Sequence, residues 1–171
     1  MMKLVESNPL FKEMAAYAEW HSSREKALNA EKEEVKEKYG WESEEMKAVQ
    51  EKLKALKSDP YGAGAWKAWR CVKWNENEKN PDELCVRDFC WESELADFVE
   101  TLRRFGLREF VTIDDSTALM RTIHGLQDLG CEFTGTAIVD KKSLFHSDED
   151  DPYDHQQGLR FSLYRVLCDG D

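Results

Sequence analysis

Between Arg24 and Lys57 the residues Leu28, Val35, Tyr39, Met46, Val49, Leu53 and Leu56 fall on alternating steps of three and four, once Lys32 and Glu42 are counted as polar occupants of the same seam. Nearly everything else in the run is charged, so the segment can bury one stripe only and needs a second helix to bury it against. Gly40 interrupts the run, and Trp41-Glu42-Ser43-Glu44 after it has the aromatic, capping serine and acidic residues of a helix start. This predicts a helical hairpin turning at Gly40. One continuous helix is the alternative, since glycine costs only about 1 kcal/mol inside a helix.

Upstream, Asn8 followed by Pro9 is a helix start, and Leu10, Phe11, Met14, Tyr17 and Ala18 share a face, giving a helix to about residue 21. Downstream, Asp59-Pro60-Tyr61-Gly62 is a turn, and a helix follows from about Gly64 to Trp74. At 100° per residue its side chains separate into two sides. Ala65, Ala68, Trp69 and Val72 form a core side, while Trp66, Arg70 and Trp74 line up with Lys67 and Lys73 beside them. Arg70 is placed to stack on Trp66 or Trp74. Such a basic-aromatic stripe is either an interface anchor or a surface that packs on the acidic half of the same chain.

Residues 75–82 read as a polar linker and 83–90 are ambiguous. From Ser93 a helix keeps Leu95, Phe98, Val99, Leu102 and Phe105 in phase and ends at Gly106. Glu109 to Ile113 reads as a strand. Asp114, Asp115 and Ser116 cap the next helix, whose Leu119, Met120, Ile123 and Leu126 face inward before Gly130 ends it. Cys131 to Val139 and Leu159 to Leu167 are the second and third strands. If the first two strands are neighbours, the crossover makes them parallel, with the third antiparallel at an edge or beside the second. The expected fold is α+β, with a helical N-terminal half over residues 8–75 and a small three-stranded mixed sheet with packed helices over 83–168, including an acidic loop at 146–157.

A chain of 171 residues suits a single domain and can bury roughly 70% of its unfolded surface, enough for a core without staples. The five cysteines, Cys71, Cys85, Cys90, Cys131 and Cys168, are odd in number and none sits two residues from another, so they read as reduced thiols in a cytoplasmic protein. No apolar run is long enough to span a membrane, and no uninterrupted apolar stretch follows Lys3 as a secretory leader requires. The net charge of -11 is uneven: residues 1–80 hold fifteen basic and fifteen acidic side chains, residues 81–171 nine and twenty. Such an excess repels phosphates and anionic membranes and attracts basic protein surfaces. Solubility alone accounts for an acidic surface equally well.

The chemistry in the chain is sparse. Phe145 to His155 gathers carboxylates and two imidazoles, but Pro152 stands at a ligand position of the calcium-loop pattern and no glycine supplies its central turn, so no metal or other cofactor is expected. His124 lies at the border of an apolar helix face, and with Asp114, Asp115 and Cys131 it drafts a nucleophile, base and orienting acid for a small enzyme. Capping already accounts for the aspartates and a strand interior for Cys131. No nucleophile elbow, phosphate loop, dinucleotide fingerprint or paired-cysteine motif occurs.

The stretch STALMRTIHGLQDLGCEFTGTAIV from Ser116 and the closing GLRFSL from Gly158 resemble segments of small uncharacterised proteins carried on mobile elements of gut Gram-positive bacteria. That resemblance implies a context of action on host functions, including defence nucleases, and a character similar to anti-CRISPR and other anti-defence inhibitors. The expectation is a non-enzymatic module, monomeric or homodimeric, that docks on a basic, nucleic-acid-binding protein and contacts neither nucleic acid nor membrane directly. Its expected contacts are Asp114, Asp115, Asp148, Glu149, Asp150, Asp151 and Asp154, with Trp66, Arg70 and Trp74 as a second patch. A scaffold built through the heptad face of residues 28–56 is the remaining alternative.

Overall fold

A computed structural model of the chain describes residues 3–75, 77, 80–87, 92–113, 118–142 and 153–165. The fold is α+β. Its elements are α1 (Lys3–Glu6), α2 (Pro9–Tyr39), α3 (Glu44–Leu56), α4 (Ala63–Lys73), β1 (Cys85–Val86), α5 (Glu92–Arg104), β2 (Glu109–Thr112), α6 (Leu119–Asp128), β3 (Glu132–Lys142) and β4 (Tyr153–Ser162). They group into two compact units, one of Met1–Phe11 with Gly62–Asp171 and the other of Lys12–Tyr61.

The Lys12–Tyr61 unit is the expected helical hairpin. Gly40 sits at φ 81°, a left-handed conformation that a β-carbon disfavours, and its N–H bonds back to the Lys36 carbonyl at 3.0 Å. Ser43 then caps α3: its hydroxyl oxygen accepts from the Met46 N–H at 3.1 Å and donates to the Gly40 carbonyl at 3.0 Å. The returning helix is tied to α2 by Lys52 and Glu31, 2.7 Å apart, and by His21 Nε2, 3.0 Å from the Leu56 carbonyl oxygen. Leu28, Met46 and Val49 are buried, so the heptad face is used within the chain, while Tyr39 is exposed. The helix expected to end near residue 21 runs on to Tyr39. Nothing between Trp20 and Arg24 is a glycine or proline, and His21, Ser22 and Ser23 together cost α2 only about 1–2 kcal/mol in helix preference.

The other unit holds the sheet. Asn8 caps α2 as expected, its Oδ1 accepting from the N–H groups of Leu10 and Phe11, and its Nδ2 donates to the Arg104 carbonyl at 2.9 Å. Phe11 packs on Trp69 and Phe105, with centroids 6.2 and 5.6 Å away. Strand order is β1-β2-β4-β3: β1 runs parallel to β2, and β4 runs antiparallel to both β2 and β3. Among the described residues there are thus four strands rather than three, and β2 and β3, which were to be parallel if they were neighbours, run parallel with β4 between them. Two features put β4 in the middle. Phe161 stacks on Phe110 of β2 at 5.8 Å and meets Phe133 of β3 edge-on at the same distance. Gly158 has no side chain where a β-carbon would lie 2.5 Å from Val111 Cγ1.

The added strand, β1, comes from the stretch left ambiguous by sequence, and side chains of the supposed linker hold it. Asn75 Oδ1 accepts from the Cys85 N–H at 2.9 Å while Asn75 Nδ2 donates to the Glu83 carbonyl at 2.8 Å, a side-chain imitation of strand pairing. Buried Asn77 donates to Glu83 Oε2 at 3.1 Å and accepts from the Asn80 N–H. On one sheet face Leu95, Phe98, Val99 and Leu102 of α5 and Leu126 of α6 are buried with Phe110 and Phe161. On the other, Cys85, Val111 and Val139 form a buried cluster with Ile113 and Ala137. Both α5 and α6 close with the bonds expected at Gly106 and Gly130: Leu107 N–H to the Leu102 carbonyl, and Cys131 N–H to the Leu126 carbonyl. Arg103 pins these ends together, donating to the carbonyls of Leu163 and Leu129 at 2.6 and 2.8 Å.

Candidate protein-binding surfaces

The basic-aromatic stripe on α4 is built from its turn upward. Asp59 Oδ1 accepts from the Tyr61 N–H at 2.9 Å, and the Gly62 carbonyl accepts the first helical bond, from Trp66. α4 lies hard on α5 at Gly64, where a β-carbon would fall 2.0 Å from the Glu94 carbonyl oxygen. That contact fixes the helix rotation, so Ala68, Trp69 and Val72 are buried. Trp66 is half-buried, and Trp74 is exposed at 58%.

The cation that stacks is Lys73 rather than Arg70. Its ammonium stands 4.7 Å from the Trp69 ring and 5.0 Å from that of Trp74, while Arg70 is exposed. The reason is that Trp74 is not helical. As the C-cap, at φ -117° and ψ 46°, it leaves the 100° progression, and its ring meets Trp69 edge-on at 5.8 Å. Trp66 also meets Trp69 edge-on, at 5.3 Å, so the three indoles form one chain of edge contacts.

The acidic candidates divide by position. Asp114, Asp115, Asp148, Glu149, Asp150 and Asp151 lie outside the described residues, and Asp154 enters β4 opposite Lys141 in register. Carboxylates that sequence reasoning passed over are in view on α5, where Glu92, Asp97 and Glu100 are exposed, and on α6, where Asp128 is. Their signal was the acidic outward spacing of the α5 stretch, absorbed there into helix patterning. By unit, Lys12–Tyr61 carries ten basic against twelve acidic side chains, and the sheet-bearing unit fourteen against twenty-three.

His124 is exposed on the rim of a cleft of about 440 Å³ with Arg121, Glu92, Asp128 and Leu95, where Arg121 Nη1 lies 3.8 Å from Glu92 Oε1. The drafted nucleophile fares differently. Cys131 is buried, and burial pushes its thiol pKa up, against a smaller opposing effect of Arg103, so its thiolate is suppressed. A larger cleft, of about 620 Å³, is lined by Arg108, Glu109, Asp82, Asn80 and the Arg160–Glu83 ion pair. Its charges are of both signs and select neither a cation nor an anion. Among the described residues no three carboxylate, imidazole or thiol groups converge on a metal position. Among the same residues, no helix is long and apolar enough to cross a membrane.

The remaining surface of note is strand β3. Its inner side pairs with β4 over the full strand, with a bulge between Phe133 and Gly135, and no described strand lies along its outer side. Phe133 and Ile138 are 47% and 64% exposed.

Residues 65–163 match the protein family described as a domain of unknown function, DUF7698. No curated protein and no solved structure matches the chain.

Proposed function

The chain belongs to the DUF7698 family, and we propose that it is a non-enzymatic module whose acidic sheet-bearing unit docks on a basic protein surface. In its finer form the partner is a nucleic-acid-binding protein of a host defence system, and carboxylates stand where phosphates would bind, in the manner of an anti-CRISPR inhibitor. The observation that carries the reading is the division of charge: the family-matched stretch lies in the unit with nine surplus carboxylates, while the helical hairpin is close to neutral. The exposed Glu92, Asp97 and Glu100 of α5 and Asp128 of α6 belong to that surplus. So does the chain between β3 and β4, with Asp148, Glu149, Asp150 and Asp151 in its sequence.

The test is capture from a bacterial lysate with washes at about 0.1 M and then about 0.5 M salt, where the screening length roughly halves. A stoichiometric basic protein, released at the higher salt and held less tightly by the variant D148N/E149Q/D150N/D151N, is the expected result. Binding indifferent to both salt and that variant refutes the reading. The competing reading, a small enzyme using His124, draws support from the cleft beside Arg121, but its drafted nucleophile is the buried Cys131.

A further inference from the structure

Arg160 of β4 lies opposite Val111 of β2, and side chains two apart on a strand share a face, so Arg160 and Glu109 stand on the same side of the sheet. The guanidinium is held in place there. Its Nη2 donates to Glu83 Oε1, while Glu83 Oε2 accepts from Nδ2 of Asn77, which is buried and itself accepts from the Asn80 N–H at 3.1 Å. This chain of bonds fixes the cation at the wall of the cleft of about 620 Å³. It uses one of the five N–H donors a guanidinium carries. Among the described residues nothing accepts from the other four, and Nε is buried without an acceptor. We propose that this cleft binds a free α-amino acid, its carboxylate on Arg160 and Arg108 and its ammonium on Asp82 and Glu109.

The argument for a zwitterion is the pairing state of the lining charges. Arg108, Asp82 and Glu109 are exposed, line the same cleft and make no ion pair or side-chain hydrogen bond among the described residues. Glu83 is spent, both its oxygens being engaged. A lone anion that reaches Arg108 and Arg160 meets two unneutralised carboxylates, and a lone cation that reaches Asp82 and Glu109 meets two guanidinium groups. A ligand carrying both charges turns each of those repulsions into a charge-assisted hydrogen bond. The volume lies within the roughly 300–1,000 Å³ of small-molecule sites, and Leu84, Phe105 and Leu107 back the cleft with apolar side chains.

The described carboxylates assigned to docking, Glu92, Asp97, Glu100 and Asp128, do not line this cleft, so the two readings stand or fall separately. Thermal unfolding of the full chain with each common L-amino acid at about 10 mM measures binding, because a ligand of the folded state raises Tm. At least one is expected to raise it. For that amino acid, N-acetylation removes the ammonium and decarboxylation to the amine removes the carboxylate, and each is expected to weaken binding by about tenfold or more. R108Q and D82N/E109Q, which change exposed side chains without described partners, are expected to weaken it by about as much. No Tm shift with any of the amino acids overturns the proposal. So does an N-acetyl or amine derivative that binds as tightly as its parent, or an affinity unmoved by either R108Q or D82N/E109Q.

Discussion

Gly64→Ala tests the close contact between α4 and α5. The new β-carbon would meet the Glu94 carbonyl oxygen at 2.0 Å, and Asp97 Cβ and the Phe98 nitrogen at 2.8 Å. Two of these three atoms belong to the α5 backbone and cannot turn aside as a side-chain tip can. Reaching ordinary contact at 3.4 Å requires α4 to retreat by about 1.4 Å. A gap of about 0.5–1 Å already forfeits a quarter to a half of the attraction between packed atoms. Ala68, Trp69 and Val72, all buried on the same helix, supply roughly 5–6 kcal/mol of burial between them, so the loss is about 2 kcal/mol. Residual strain adds about 1 kcal/mol, and the helix preference of alanine over glycine returns about 1. The net cost is about 2 kcal/mol, or about 6–10 °C in Tm for a unit of this size. Urea and thermal unfolding followed by near-UV circular dichroism of the tryptophans measure it. Gly40→Ala is the control: it has open space but φ 81°, and costs about 1 kcal/mol through conformation alone. A Gly64→Ala protein as stable as the parent would refute the backbone contact between α4 and α5.

Arg103→Met keeps the aliphatic stem but removes the donors to the Leu163 and Leu129 carbonyls, and is expected to cost about 2–3 kcal/mol in urea unfolding. A change under about 0.5 kcal/mol would refute the clamp. In the hairpin unit, burial first, then the bond Tyr61 donates to Glu13, push the Tyr61 pKa up from 10.0 to about 12. The raised value means that the folded state holds the proton longer than the unfolded one. The stability this confers is therefore complete below pH 10 and is lost as pH rises toward 12. The stability difference between the parent and Tyr61→Phe should shrink across that window, and a difference independent of pH would refute the assignment.

Local chemistry announced most of the helices. Asn8, Gly40, Ser43, Gly106 and Gly130 are start and stop signals that act within a few residues of themselves, and each acts as its type dictates. What sequence did not announce is set by contacts distant along the chain. β1 is two residues long, too short for any alternation, and exists because Asn75 supplies it with a side-chain edge. The central place of β4 follows from Phe161 lying between Phe110 and Phe133, a relation between strands that no period within one strand records. The stacking partner on α4 was misassigned because a 100° projection was carried one residue too far, onto a C-cap that had left the helix. Of the expected site residues, Trp66 and Trp74 meet through Trp69, while the acidic ones could be read as charge but not as a shape.

The family match also limits which piece of the chain is a fair subject for binding experiments. It begins at residue 65, inside α4, yet the unit it describes does not. Val5 is buried in that unit, Asn8 bonds to the Arg104 carbonyl at the end of α5, and Phe11 covers Trp69 and Phe105. Gly62 and Gly64, where α4 starts and presses on α5, precede the match as well. Residues 12–61 therefore interrupt a single unit rather than precede it. Cutting the chain to the matched stretch would uncover Trp69 and Phe105 together, an apolar patch able to capture proteins without regard to charge. A salt-sensitive partner is attributable to the acidic surface only if the core beneath it is whole, so the fair subject is the full chain, with its carboxylates altered one group at a time.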